Sequence, residues 1–356
     1  MLLYFLFPYP IAESPSQRFR FEQYFETLKK HNIPYKSQSF FDEATWAILY
    51  KEGHILQKVW GVCKGYLRRI FVLFKLISCT HVFIHRELAP WGPPFFEWVI
   101  AKVLRKKIVY DFDDALWLTD LSESERLKIW LKNPGKTAST IKWSWKVSAG
   151  NQYLCDYARR YNPNVRLNPT TIDTEHLHNQ LKNQETTPVV IGWTGSHSTL
   201  KYLEPLVPVI AKLEKELAFE FLVICNKEPQ WPLRSLRFLP WKKESEREDL
   251  LKMHFGLMPL PDDEWAKGKC GFKALQYMAL GMPALVSPVG VNTEIVSHGQ
   301  DGFVCTSTED WEQYIRMLIQ DTRLRHRMGD RARSKIEQQF SVRSNEQNFL
   351  NLFIAS

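Results

Sequence analysis

Short apolar runs alternate with longer helix-period segments along the whole chain, and that rhythm leaves few architectures open. In the first half the runs cover residues 2–7, 81–85, 108–112 and 147–148, separated by helical patterns at 17–30, 94–104 and 151–161. In the second half they cover 189–193, 220–225, 236–239, 255–260, 284–287 and 303–305. Neighbouring parallel strands need a crossover, usually a helix, and helices then cover both faces of the sheet. The expected class is α/β, with two doubly wound Rossmann-like domains. At 356 residues the chain exceeds one ordinary core. Segment 168–187 is polar, holds Pro169 and Asn183, and separates the two series. The expected division is a domain at 1–170, a linker at 171–187, a domain at 188–340 and a terminal helix within 341–356.

Composition narrows the classes of function. Cys63, Cys79, Cys155, Cys225, Cys270 and Cys305 are scattered without zinc spacing, as in a reduced cytoplasmic protein. The apolar opening MLLYFLFPYP lacks a basic flank and a cleavage site, and reads as a buried strand. No stretch has the length of a membrane span. The net charge of +8 arises in the first half, where residues 51–80 carry Lys51, Lys58, Lys64, Arg68, Arg69 and Lys75 against Glu52 alone. Trp60, Tyr66, Phe71 and Phe74 are interleaved with them. Two readings follow: a helix lying on a membrane surface, or an ordinary helix with its apolar stripe turned to the core. No nucleic-acid motif accompanies the charge, so no nucleic-acid partner is expected.

The stretch CGFKALQYMALGMPALVSPVGVNTE, from Cys270 to Glu294, reads as a helix, a strand and an anion-binding turn in succession. Phe272, Leu275, Met278 and Ala279 fall on one helical face, and Gly281 with Pro283 ends the helix. After an apolar strand, Pro288, Gly290 and Asn292 turn the chain into a second helical start at Thr293 and Glu294. Backbone N–H groups and a positive dipole end converge there, an arrangement suited to a diphosphate.

This stretch resembles the donor-binding signature of family-4 glycosyltransferases, retaining enzymes of the glycosyltransferase-B fold. The likeness extends to the first strand and loop up to Gln17, and to IVYDFDDALW, NPTTIDTEHL, VVIGWTGSHS, LPW and MPLPDDEW. It implies two Rossmann-like domains facing a cleft, with the last helix crossing back to the first domain. It also implies a nucleotide-diphosphate sugar as donor, no metal and no cofactor. The acceptor it suggests is a saccharide or lipid-linked saccharide of an envelope polysaccharide such as lipopolysaccharide, met at the cytoplasmic face of the membrane. Other readings are an epimerase of the same architecture and a nucleotide-binding scaffold without turnover.

Candidate residues follow from what the transfer needs: neutralised diphosphate, a held ribose and base, and an aligned acceptor oxygen. For the diphosphate they are Lys269 and Lys273, beside Gly271, with the turn of Gly290, Val291 and Asn292 and the adjoining Glu294. The family commonly carries two glutamates eight positions apart on this helix; Gly268 and Gln276 stand at those places, and Gln276 is the expected ribose contact. Asp262, Asp263 or Glu264 is open as a substitute carboxylate. Gly195 and Ser196 form a cradle after the first strand of the second domain, where Trp193 replaces the family's arginine. Trp241 lies where the family holds the base. In the first domain, Asp113 and Asp114 are the expected catalytic carboxylates, with Asp111 and Asp113 on one face of the strand and Asp114 opposite. His85, Arg86 and Arg18 are expected on the acceptor side, Arg18 as the better partner for an acidic group.

Overall fold

A computed structural model describes residues 1–118 and 132–354. It falls into two compact units, Met1–Thr170 with Glu346–Ser356, and Thr171–Asn345. The last two residues of the expected terminal helix, 355–356, lie outside the described residues.

The first unit is built on six parallel strands in the order β2-β1-β3-β4-β5-β6. They are β1 (Leu3–Phe7), β2 (Tyr35–Ser39), β3 (His81–His85), β4 (Lys107–Phe112), β5 (Lys146–Ala149) and β6 (Val165–Leu167). β1 and β3 are buried from end to end, as apolar runs between helical layers should be. The expected helix at 17–30 is broken into Pro15–Arg20 (α1), Glu22–Tyr24 and Phe25–Lys30. The next long helix, α2, spans Ile55–Lys75. Glu346–Leu350 and Asn351–Phe353 pack on this unit, with Phe349 stacked on Tyr24 at 4.2 Å and Phe353 edge-on to Phe5 at 6.1 Å.

The second unit repeats the plan in the order β12-β11-β10-β7-β8-β9. Its strands are β7 (Val190–Thr194), β8 (Glu220–Cys225), β9 (Leu236–Pro240), β10 (Phe255–Met258), β11 (Ala284–Val286) and β12 (Gly302–Val304). Helix α3 (Phe272–Ala279) is buried on nearly every side from Ala274 onward, so the single apolar face expected for it is too narrow a description. Further helices, α4 (Thr308–Gln320) and α5 (Thr322–Lys335), divide at Asp321, whose side chain caps α5 through Leu324 N–H at 2.8 Å. Segment 171–187, expected as a linker, is packed into this unit. Gln184 is buried and donates to the His254 carbonyl at 2.9 Å, and Arg325 donates to its side-chain oxygen at 3.2 Å.

In each sheet the chain reverses direction of build-up once, between β1 and β3 and between β7 and β10. Loops leave such a point to opposite faces, and the crevice at the carboxyl ends of those strands is where ligands of open α/β sheets bind.

Candidate active site

Register explains the polar cluster of the first unit. His85 lies opposite Asp111 on β3 and β4, and Asp111 lies opposite Ser148 on β5, so all three side chains meet on one face. His85 Nδ1 is 2.8 Å from Asp111 Oδ2, Ser148 Oγ donates to Asp111 Oδ1 at 2.5 Å, and Arg20 of α1 forms a buried ion pair with the same carboxylate. Burial pushes the Asp111 carboxyl up, but the Arg20 charge and the His85 contact outweigh it, leaving a value of about 2. An ionised Asp111 only accepts, so His85 carries a proton on Nδ1.

From His85 the network runs toward the strand ends. Ser16 Oγ lies 2.8 Å from His85 Nε2 and donates to Asp113 Oδ2 at 2.7 Å. Arg86 Nε donates to Asp113 Oδ1 at 2.8 Å, and its terminal nitrogen donates to Asp114 at 2.5 Å. Asp114 is therefore not opposite Asp113 as strand alternation suggested. β4 stops at Phe112, and the turn beyond it brings both carboxylates to one arginine. Arg86 holds φ +60, clamped by its N–H on the Asp111 carbonyl at 2.8 Å and by Tyr110 Oη on its own carbonyl at 2.7 Å. Burial raises the Asp113 carboxyl, but Arg86, His85 and Arg20 together hold it well below the usual carboxylate range.

Arg18 is half-buried with its guanidinium 5.0 Å from the Phe19 ring. Arg20 and Arg86 both pair with the acidic cluster. Ser16 and Ser148 were not singled out from the sequence; for Ser148 the available signal was its register against Asp111.

In the second unit, the face of α3 bearing Lys273, Gln276 and Tyr277 addresses the end of β7. Tyr277 Oη accepts the Thr194 N–H at 3.1 Å, and the Lys273 ammonium sits 5.6 Å from the Trp193 ring. Trp193 is buried against Gly195, where an added Cβ would come within 2.4 Å of its ring. Lys273 thus stands over the cradle of Gly195 and Ser196. Ser196 is exposed with Oγ 2.8 Å from Ser198 Oγ, and the adjoining His197 N–H is held by Asn226 at 2.7 Å. Lys269 lies 4.9 Å from the Trp265 ring. Gln276 is buried, and its Nε2 meets no acceptor among the described residues. Such an orphan costs about 1–3 kcal/mol unless a ligand completes it.

Two glycines shape the anion turn. Gly271 (φ +69) opens α3, and Gly290 (φ +57) presses on Lys267, whose carbonyl would lie 2.9 Å from an added Cβ. Beyond it Asn292–Ile295 is a single helical turn, with Glu294 exposed. Asn292 is buried, with its N–H on the Val289 carbonyl at 3.3 Å and its amide on the Ser287 carbonyl at 3.1 Å. Its side chain therefore braces the turn, while Gly290 and Val291 present their N–H groups without an acceptor among the described residues. Asp263 caps the helix Glu264–Lys267, and Asp262 and Glu264 pair with Lys267, so none of the three is an uncommitted carboxylate. Trp241 donates its backbone N–H to the Cys225 carbonyl at 2.9 Å and its ring N–H to Glu246 at 3.4 Å.

Residues 236–335 match the family described as glycosyl transferases group 1, a span that takes in α3 and the anion turn. The second unit therefore carries the group 1 glycosyltransferase signature, over 100 of the chain's 356 residues. A stretch of 152 residues is 27% identical to the N-acetyl-alpha-D-glucosaminyl L-malate synthase of Bacillus anthracis, spanning 40% of this chain and 39% of that relative. Among solved structures, a sucrose-phosphate synthase from Thermosynechococcus elongatus matches at TM-score 0.70 and 13% identity, over 99% of this chain and 98% of its own. Anabaena HepE, solved with UDP and glucose, matches at TM-score 0.63 and 14% identity, over 98% of each chain. At those identities the likeness is one of fold, and the chain has the glycosyltransferase-B architecture of two parallel-sheet units.

Proposed function

We propose that the protein transfers a sugar from a nucleotide-diphosphate donor to a saccharide or lipid-linked saccharide acceptor of an envelope polysaccharide, with retention at the anomeric carbon. The observation that carries this reading is Lys273 held over Trp193 beside Gly195, with the unpartnered Gln276 amide on the same helical face. Lys269, Lys273 and the N–H groups of Gly290 and Val291 neutralise the departing diphosphate, which is the largest demand of the reaction. Gln276 Nε2 donates to a ribose oxygen, and Trp241 borders the base. In the first unit, Asp113, fixed by Ser16 and Arg86 and kept ionised, accepts a hydrogen bond that orients the acceptor hydroxyl, and Arg18 and Arg86 orient the rest of the acceptor.

Two lysines and backbone donors supply the positive charge, so the transfer proceeds without a metal. Retention follows the likeness to family-4 enzymes, and the structure of HepE with UDP and glucose favours a uridine donor. The working place is the cytoplasmic face of the membrane. A second reading, a nucleotide-binding scaffold without turnover, draws on Gly268 in place of a family glutamate and on the commitment of Asp262 and Glu264 to Lys267. Incubation with a panel of nucleotide sugars, following release of the free nucleotide, separates the two. Release from one donor supports transfer; binding without release supports the scaffold.

A further inference from the structure

Helix α2 is built inside out. Its inward face carries Gly61, Gly65, Arg69 and Val72, and its outward face carries Leu56, Trp60, Leu67, Phe71 and Phe74. At 100° per residue these five fall within about 60° of one direction, a continuous apolar stripe pointing away from the core. The packing explains the inversion. An added Cβ would lie 2.3 Å from Thr45 at Gly61 and 2.5 Å from the Phe40 ring at Gly65, so the helix backbone itself is seated against the unit. Arg69 is fully buried and spends its guanidinium on the carbonyls of Leu88, Phe7 and Gln38, at 2.9, 2.7 and 3.2 Å. The long apolar side chains are thereby left outside: Leu56 is 85% exposed, Phe74 69% and Trp60 59%.

A second exposed apolar element adjoins the first. Tyr66 of α2 donates to the Trp91 carbonyl at 2.7 Å, and near the far end Lys106 donates to the Ile77 carbonyl at 2.7 Å. Between those two ties lie Phe95, Trp98 and Val103, all exposed. The charges along this face are mostly basic. Lys51, Lys75 and Lys102 are exposed, and Glu52 is the only acidic residue in 51–80. No helix among the described residues is long and apolar enough to cross a membrane.

We propose that this two-element face docks on an anionic lipid bilayer, with Trp60, Phe71, Phe74 and Trp98 in the acyl boundary and Lys51, Lys75 and Lys102 at the lipid phosphates. A stripe about 30 Å long, apolar at its centre and basic at its edges, is complementary to such a leaflet in both polarity and charge. A soluble partner would have to match the same apolar length with acidic borders. The docking itself does not depend on the proposed transfer.

Flotation of the full-length protein with vesicles tests it, using phosphatidylcholine alone or with about one-third phosphatidylglycerol, a fraction in the range of anionic membranes. The wild type should float with the anionic vesicles and be released by salt. Leu56→Ser/Phe71→Ser/Phe74→Ser should lower partitioning by about tenfold or more, with an unchanged melting curve because the three side chains are exposed. Lys51→Glu/Lys75→Glu/Lys102→Glu should lower it comparably on anionic vesicles without touching the apolar stripe. A wild type that stays with neither vesicle would overturn the proposal, as would a lipid-free dimer in sedimentation that the serine variant makes monomeric. Nucleotide release in solution is read separately, so failure here leaves the transferase reading standing.

Discussion

Ser16 and Asp113 are 97 residues apart in sequence and 2.7 Å apart in space, with the Ser16 hydroxyl donating to the carboxylate while its oxygen also meets His85 Nε2 at 2.8 Å. The pair joins the end of β4 to the first turn of α1. It also divides the acidic cluster in two: Asp111, sealed and ion-paired, and Asp113, at the rim with Arg86.

That division predicts opposite consequences for two similar substitutions. Asp111→Asn leaves Arg20 buried without its counter-charge and should destabilise the fold by about 3–5 kcal/mol in denaturant unfolding. Asp113→Asn leaves Arg86 still paired with Asp114, so it should cost clearly less stability than Asp111→Asn while lowering sugar transfer by about a hundredfold or more. Equal effects on stability would refute the distinction.

Several groups shape the acid side of the stability curve, among them His254, His81 and Asp111. His254 accepts the Val190 N–H on Nδ1 at 2.9 Å and donates from Nε2 to the Thr186 carbonyl at 2.8 Å, a neutral ring. Burial first, then the Lys182 charge, holds it at about 4 against a usual 6.5. A histidine depressed in the fold contributes fully above about pH 6.5, and the contribution is lost as pH falls through about 4. Asp111, at about 2 against a usual 3.8, contributes above about pH 4 and is lost toward pH 2. His81 of the first unit is likewise held at about 4, by burial and then the Lys107 charge, so both units should begin to weaken below about pH 6.5 in unfolding titrations. In His254→Asn the decline between pH 6.5 and 4 should flatten.

Lys273→Ala should reduce transfer far more than it reduces stability, because the ammonium rests on one face of Trp193 rather than inside the core. Kinetics beside a thermal melt would show the split, and parallel losses would assign Lys273 to packing alone.

Gln276→Glu places a carboxylate where the native amide is buried, and should lower the stability of the ligand-free protein by about 2 kcal/mol or more. Added nucleotide should recover part of that loss in the same melt if the position faces the ribose. No recovery would place Gln276 outside the site.

Much of the architecture was readable because parallel sheets announce themselves as apolar runs between helices, and ten of the strands follow that rule. β2 does not: Tyr35–Ser39 is a polar edge strand with one covered side, so no apolar run marks it. β6 is short and half-exposed for the same reason. Most donor-side candidates could be named because they fall within one stretch, from Lys269 to Glu294, with Gly195, Ser196 and Trp241 outside it. In the first unit His85, Arg86, Asp111, Asp113 and Asp114 could be named from two strand ends, whereas Ser16 and Ser148 could not, since only the packing of α1 and the register of β5 bring them in. The inverted helix is the instructive case. Gly61 and Gly65, one turn apart on the face opposite Trp60 and Phe71, were the sign that the backbone and not the aromatic stripe would meet the core.

The central claim is that the second unit holds a nucleoside diphosphate without a metal. Calorimetric titration of the protein with UDP, GDP, ADP and CMP, in metal-free buffer and again with magnesium, tests it most directly. The account predicts selective binding of one diphosphate, unchanged by magnesium and weakened in Lys273→Ala. A folded protein that binds none of the four, or binds only when magnesium is present, would contradict it.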